Sequence, residues 1–194
     1  MPRVNRTRFA ILGMLTSGPR SGYDLKKDFE EQISHFWNES IGQIYPALAR
    51  LKEEKLVSVT VKRQAGRPER KVYRITRKGE KAFRQWLAQP AEPIRWRNEL
   101  LLKVFFGTFM EPEDVLRHIE NMQASELETK SLYRHFEHEI ETREASPERK
   151  LYWRLALSSG RHINQARLAW CREAIAEIKQ FTDNQKTAKA TADE

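Results

Sequence analysis

Gln43 and Arg50 stand seven residues apart, close to two turns of helix, and Gly42, Pro46 and Ala49 share their face. An amide and a guanidinium on a surface from which little else projects suit the base edges of a DNA major groove, where Gln pairs with adenine and Arg with guanine. A second concentration of chemistry follows: from Lys62 to Lys78 there are eight Lys or Arg residues and one acid, Glu69. Like charges facing one another across two strands repel, so a segment this basic serves something other than its own stability, and it makes sense beside phosphates. Gln43 and Arg50, flanked by Ser40 and Tyr45, are therefore the candidates for reading DNA; Lys62, Arg67, Arg70, Lys71 and Arg74 are the candidates for holding its backbone.

The elements that position these groups follow from periodicity. Phe9, Leu12 and Leu15 recur at helical spacing from Arg6 to Thr16, and Ser17-Gly18-Pro19 ends that helix. Ser21 precedes a second helix with Leu25, Phe29 and Ile33 on one face, running to about His35. Ile41, Ile44, Leu48 and Leu51 make the buried stripe of a third, from about Ser40 to Lys55, and Pro46 predicts an irregular start because its ring removes a backbone bond anywhere but the first turn. Val57, Val59 and Val61 then alternate with polar residues, Gln64 to Glu69 supply a turn, and residues 71–75 return, which makes a hairpin. Three helices followed by a basic hairpin is the order of a winged helix-turn-helix, with the third helix in the major groove and the wing on the backbone.

Charge and composition agree. Residues 1–90 hold 19 Lys and Arg against 9 Asp and Glu, a net +10, whereas residues 91–194 hold 16 against 18, a net −2. A basic module joined to a near-neutral one is the pattern of a polyanion binder with a partner domain. The 19 aromatic residues exclude a wholly disordered chain, and the single cysteine, Cys171, excludes internal disulfides and a Cys-rich zinc site. No apolar run approaches the roughly 18 residues that a membrane span needs, and no signal peptide is recognisable, so the expected location is the cytoplasm and no membrane partner is expected. His135 and His138 share a helix face, but two imidazoles do not make a metal site. There is no phosphate loop, no His-Glu-x-x-His and no nucleophile elbow, so the chain is read as a non-enzyme with no cofactor and no metal.

Three ordered stretches resemble the PadR-like transcriptional regulators: Ile11-Leu12-Gly13-Met14-Leu15 with Gly18 to Leu25, then Ile41 to Leu51, then Arg70 to Gly79. Lys55 stands where the resemblance leads one to expect a glycine. The resemblance implies a homodimeric DNA-binding regulator. Trp96, Trp153 and Trp170 are the candidates for a pocket taking a small aromatic effector, as in some relatives of that family.

The second half is all helix. Thr76 starts a helix that ends before Pro90, and Pro90 and Pro93 mark a boundary. Residues 97–106 form a short apolar helix. Pro112-Glu113-Asp114 opens a long one to about Ala145, and Ser146-Pro147-Glu148 opens another to about Gln180. Val115, Ile119, Met122, Thr129, Tyr133, Phe136 and Ile140 alternate in threes and fours, interrupted by Glu126, like a coiled-coil seam with a polar fault. Small residues at Ala156, Ser158, Ser159, Gly160, Ala166 and Ala169 allow close packing on the other helix. Helices of this length want a second chain, and this half resembles the dimerisation domain of the virulence-activator type.

The fold expected is thus mainly α with a small β-hairpin wing: a winged helix-turn-helix over residues 1–90, a long-helix dimerisation domain over 91–180 and a polar, disordered tail over 181–194. The function expected is a sequence-specific transcriptional repressor, homodimeric on a palindromic operator of double-stranded DNA. The alternative is a non-catalytic adaptor whose winged module binds an acidic protein.

Overall fold

The computed structural model describes residues 6–34, 36–37, 41–64, 67–93 and 97–192, and the chain divides into two compact units, Met1–Pro93 and Ile94–Glu194. Among the described residues no helix is long and apolar enough to cross a membrane.

The first unit runs α1 (Thr7–Leu15), β1 (Arg20–Ser21), α2 (Gly22–Gln32), a single 3-10 turn (Ile41–Gln43), α3 (Ile44–Glu53), β2 (Val57–Gln64), β3 (Arg67–Ile75) and α4 (Arg77–Leu87). The apolar positions picked out by helical spacing form one core: Ile11, Leu12 and Leu15 of α1, Leu25 and Phe29 of α2, and Ile44, Leu48 and Leu51 of α3, closed by Leu56, Val57 and Tyr73. The strands form an antiparallel sheet in the order β1-β3-β2. β1 is only two residues long, within a stretch whose Gly and Pro read as a helix stop, and it is legible only once β3 is there to pair with it. Along β2 the inward face goes from buried Val57 to half-buried Val59 to Val61, which is 47% exposed, so the hairpin leaves the core and projects as a wing.

Two backbone features decide how α3 hands over to the wing. Leu56 N–H donates to the Leu51 carbonyl at 2.9 Å and Lys55 N–H to Lys52 at 3.0 Å, the paired bonds that satisfy the end of a helix when the residue past its cap turns left-handed. Lys55 is that residue, with φ +59°, so a lysine occupies a conformation that glycine adopts more cheaply. The Leu56 carbonyl then accepts Thr76 N–H at 3.0 Å and Thr76 Oγ1 at 3.1 Å, while Thr76 Oγ1 accepts Gly79 N–H at 3.1 Å to cap α4. Gly79 lies so close that an added Cβ would stand 2.2 Å from the Leu56 carbonyl oxygen. Farther along α4, Trp86 stacks on Phe9 of α1 at 4.6 Å between ring centroids.

The second unit comprises α5 (Glu99–Phe105), a 3-10 turn (Gly107–Phe109), α6 (Pro112–Thr142) and α7 (Pro147–Ala192). α6 and α7 form an antiparallel hairpin, laced by Arg154 to Glu141 at 3.2 Å, Arg161 to Glu137 at 2.7 Å and Arg167 to Glu126 at 2.9 Å. Gly160 lets the helices close, since an added Cβ would lie 2.5 Å from Tyr133 Oη. α7 has 46 residues, about 69 Å at 1.5 Å each. It continues through residues 181–192, which composition assigns to a disordered tail; the segment after Gly160 contains no Gly or Pro to stop a helix.

The seam on α6 is corrected by its partner. Val115, Ile119, Tyr133 and Phe136 are buried, but within the chain: Val115 and Ile119 join Cys171, Trp170 and Ile175, and Tyr133 and Phe136 join Leu157. The polar fault is equally internal. Buried Glu126 accepts from Asn164 Nδ2 at 2.6 Å and from Arg167 at 2.9 Å, and its backbone carbonyl accepts from Asn164 Nδ2 at 2.8 Å. A helix hairpin with one buried polar network has its register fixed there, because sliding by a turn would strand a buried carboxylate. What stays exposed is a different set: Leu101, Leu102 and Phe105 on α5, Leu127 and Leu132 on α6, and Leu151, Leu155 and Ile163 on α7.

In urea titrations followed by circular dichroism, Gly79→Ala is expected to cost the first unit at least about 2 kcal/mol through the clash with Leu56, and Lys55→Gly to stabilise it by up to about 1 kcal/mol. Equal midpoints for Gly79→Ala and the parent protein would mean that α4 does not approach the strand so closely. Glu126→Ala should cost the helical hairpin about 1 to 3 kcal/mol by leaving Asn164 and Arg167 underpaired; a cost below about 0.5 kcal/mol would remove the network from the forces that set its register.

Candidate nucleic-acid interface

α3 turns Ile44, Ala47, Leu48 and Leu51 inward and leaves Gly42, Gln43, Tyr45, Pro46, Ala49 and Arg50 exposed. Pro46 is the third residue of the helix, in the first turn, where no intrahelical partner waits for its missing N–H. The irregular start is the 3-10 turn that ends at Gln43. Gln43 occupies the N-cap position without a side-chain capping bond, so its amide is available to a ligand. Tyr45 has a double placement: it is 57% exposed, yet its ring lies on Gly22, where an added Cβ would stand 2.7 Å from its Cε1. α3 is thereby seated on the start of α2. Close by, burial pushes the Tyr73 hydroxyl above its ordinary pKa, with a smaller upward push from Tyr45.

On the wing, Lys71 and Arg74 are exposed, and like that of Arg50 their side chains make no hydrogen bond or ion pair among the described residues. Lys62 pairs across the hairpin with Arg70, and Gln64 with Arg67; the side chains of Lys62 and Arg67, together with Ser40 and Trp96, lie outside the described residues.

Arg70 departs from the expectation. Its Nη2 donates to both oxygens of Asp24, at 2.8 and 2.6 Å, so its charge is already matched within the unit. Asp24 is the residue that the sequence reading passed over. It sits in the first turn of α2, where Ser21 N–H donates to its Oδ2 at 2.9 Å and its own N–H donates to Ser21 Oγ at 3.2 Å. The spacing Ser21-x-x-Asp24 is a signal for that cap, but nothing local marks a partner 46 residues away. Burial pushes the Asp24 carboxyl upward, and the Ser21 backbone and hydroxyl with the Arg70 guanidinium outweigh it, holding the group below its ordinary value of 3.8.

The remaining candidates do not converge. Trp170 packs with Val115, Ile119 and Cys171, whereas Trp153 lies under the Arg143 guanidinium at 6.0 Å. Seventeen residues of α7 separate them, about 25 Å. Burial, with Glu126 nearby, raises the Cys171 thiol above its ordinary pKa, the reverse of what a reactive thiolate requires. His135 and His138 are exposed, and among the described residues no group of three His, Cys, Asp or Glu side chains is placed to hold a metal ion.

Residues 11–85 match the model of the transcriptional regulator PadR-like family, and residues 96–179 that of the virulence activator alpha C-terminal region. The first unit is thus similar to the PadR-like family and the second to the virulence-activator C-terminal region. The negative transcriptional regulator PadR of Bacillus subtilis is 36% identical to it over 101 residues, 51% of this chain and 55% of that protein. The chain spans about half the length of the curated relatives it matches. Among solved structures, Bacillus subtilis PadR in complex with operator DNA superposes with a TM-score of 0.76 at 25% identity, over 89% of this chain and 98% of that one. The Vibrio cholerae virulence activator AphA does so with a TM-score of 0.73 at 24% identity, over 90% and 98%, and shares the fold. A PadR-like winged helix followed by long helices is therefore the architecture here.

Because the folded pKa of Asp24 is depressed, the stability that this group adds to the PadR-like unit is present above about pH 4, its unfolded value, and is lost as pH falls through the folded one. The stability gap between the parent protein and Asp24→Asn, measured by urea unfolding at neutral pH and in acid, is expected to close below that window. A gap of constant size would show that the carboxylate is not held by these partners.

Proposed function

We propose that this PadR-like protein is a homodimeric, sequence-specific DNA-binding transcriptional repressor. The observation that carries the reading is the pairing of an exposed α3 face, small except for Gln43, Tyr45 and Arg50, with a wing on which Lys71 and Arg74 are exposed and unpaired among the described residues. Gln43 and Arg50 approach base edges, and Lys71 and Arg74 hold phosphates. A second copy brings a second α3, and two-fold symmetry places the two helices on the half-sites of a palindrome. Leu127 and Leu132 of α6 and Leu151, Leu155 and Ile163 of α7, apolar and exposed in one chain, supply surface for that pairing. The relative crystallised with operator DNA supports the same assignment.

Fluorescence anisotropy with the duplex upstream of the protein's own gene and with a scrambled duplex tests it. Affinity is expected to fall with salt on both, yet to stay about 1000-fold tighter on the native sequence. Gln43→Ala should cost about 1 to 3 kcal/mol of discrimination, whereas Lys71→Ala and Arg74→Ala should weaken all duplexes alike, each making the salt slope shallower by about 0.9. Equal binding to DNA and to unstructured polyanions would point instead to an adaptor for acidic proteins.

A further inference from the structure

Asp24 and Arg70 occupy an unusual place for an ion pair. Asp24 stands two residues from Gly22, on which Tyr45 of α3 lies, and Arg70 lies on the outer half of β3, opposite Lys62 and beside Lys71. Both are partly exposed, with side-chain accessibilities of 33% and 47%, so the pair is at the surface where a polyanion approaches. Neither partner hangs on a loose loop. The carboxylate is oriented by the reciprocal cap with Ser21, and Ser21 itself pairs as a strand with Val72, two residues from Arg70. Asp24 is thus aimed at the wing by the backbone of α2 and β1.

The energetic consequence turns on what a phosphate contact does. Every Lys or Arg that neutralises a phosphate strengthens binding to all sequences alike and steepens the salt dependence by about 0.9 in slope. A regulator is judged by the ratio of specific to non-specific affinity, so a phosphate contact that adds to both improves nothing in that ratio and increases the time spent on the wrong DNA. A carboxylate held on Arg70 removes one such contact.

On the reading of the chain as a DNA-binding regulator, we propose that Asp24 is a specificity-determining residue that masks Arg70: it keeps this wing guanidinium off the DNA backbone, so that sequence-independent affinity stays low and recognition rests on α3. Lys71 and Arg74 hold the phosphates, and Arg70 serves the geometry of the wing.

The test measures binding of the full chain to a mixed-sequence duplex as a function of salt, for the parent, Asp24→Asn, Arg70→Ala and the double variant. Asparagine keeps an oxygen to accept from Ser21 N–H while removing the charge. Asp24→Asn is expected to bind about eightfold tighter at about 0.1 M salt, with a slope steeper by about 0.9, because Arg70 is released to a phosphate. Arg70→Ala is expected to match the parent in slope, and the double variant to lose the gain. A purely structural ion pair would leave the slope of Asp24→Asn unchanged, and that result overturns the proposal. So does a shallower slope for Arg70→Ala, which would mean that Arg70 reaches phosphate in spite of Asp24. If circular dichroism shows Asp24→Asn unfolded, Arg70→Ala decides by itself. Failure of the parent to bind any duplex at low salt overturns the DNA reading itself, whereas unaltered slopes in variants of a binding protein overturn only the masking.

Discussion

The first unit depends on the crowding around one carbonyl oxygen. Leu56 is the first residue after the left-handed Lys55, and its C=O receives Thr76 N–H and Oγ1 while the backbone of Gly79 presses against it. The end of α3, the start of one wing strand, the end of the other and the start of α4 meet there. A side chain at position 79 would force them apart, and Trp86 could then no longer stack on Phe9. Both wing strands are pinned at this joint, and β3 is held again farther out by its pairing with β1 and by Arg70 on Asp24, while the inward valines of β2 become exposed toward the tip.

The second unit depends on a different kind of constraint. Its two long helices share few fully buried large side chains, and between the clusters around Ile119 and Tyr133 lies the Glu126, Asn164 and Arg167 network. Apolar packing along two smooth helices tolerates a slide of one turn; a buried carboxylate with a set of matched donors does not. Asn164 holds its amide nitrogen on two acceptors of one residue, the backbone carbonyl and the carboxylate of Glu126.

Much of this architecture was legible in the amino-acid sequence, and the exceptions share a physical cause. Periodicity located the helices and the hairpin, since Ile44, Leu48 and Leu51 or Val57 and Val59 each report locally on which side is buried. The exposed positions of α3 followed from the same stripe. What periodicity cannot report is the partner of a face. The α6 stripe was correctly apolar, yet it meets α7 of the same chain where a second chain was expected. Arg70 was correctly exposed and basic, but its pairing with Asp24 spans 46 residues and leaves no local trace. Trp153 and Trp170 were grouped by type, and a rigid helix keeps them apart. The tail after residue 180 was judged by polarity, and the absence of helix breakers overrode it.

Cys171 is the single thiol in the chain, and it is fully buried with its acidity suppressed. A maleimide added to the folded protein therefore meets no accessible native thiol. One cysteine introduced on the wing or on α7 becomes the sole point of attachment for a spin label or a fluorophore, without first stripping the molecule of its own sulfhydryl. The fold supplies a background on which a single label reports from one chosen position.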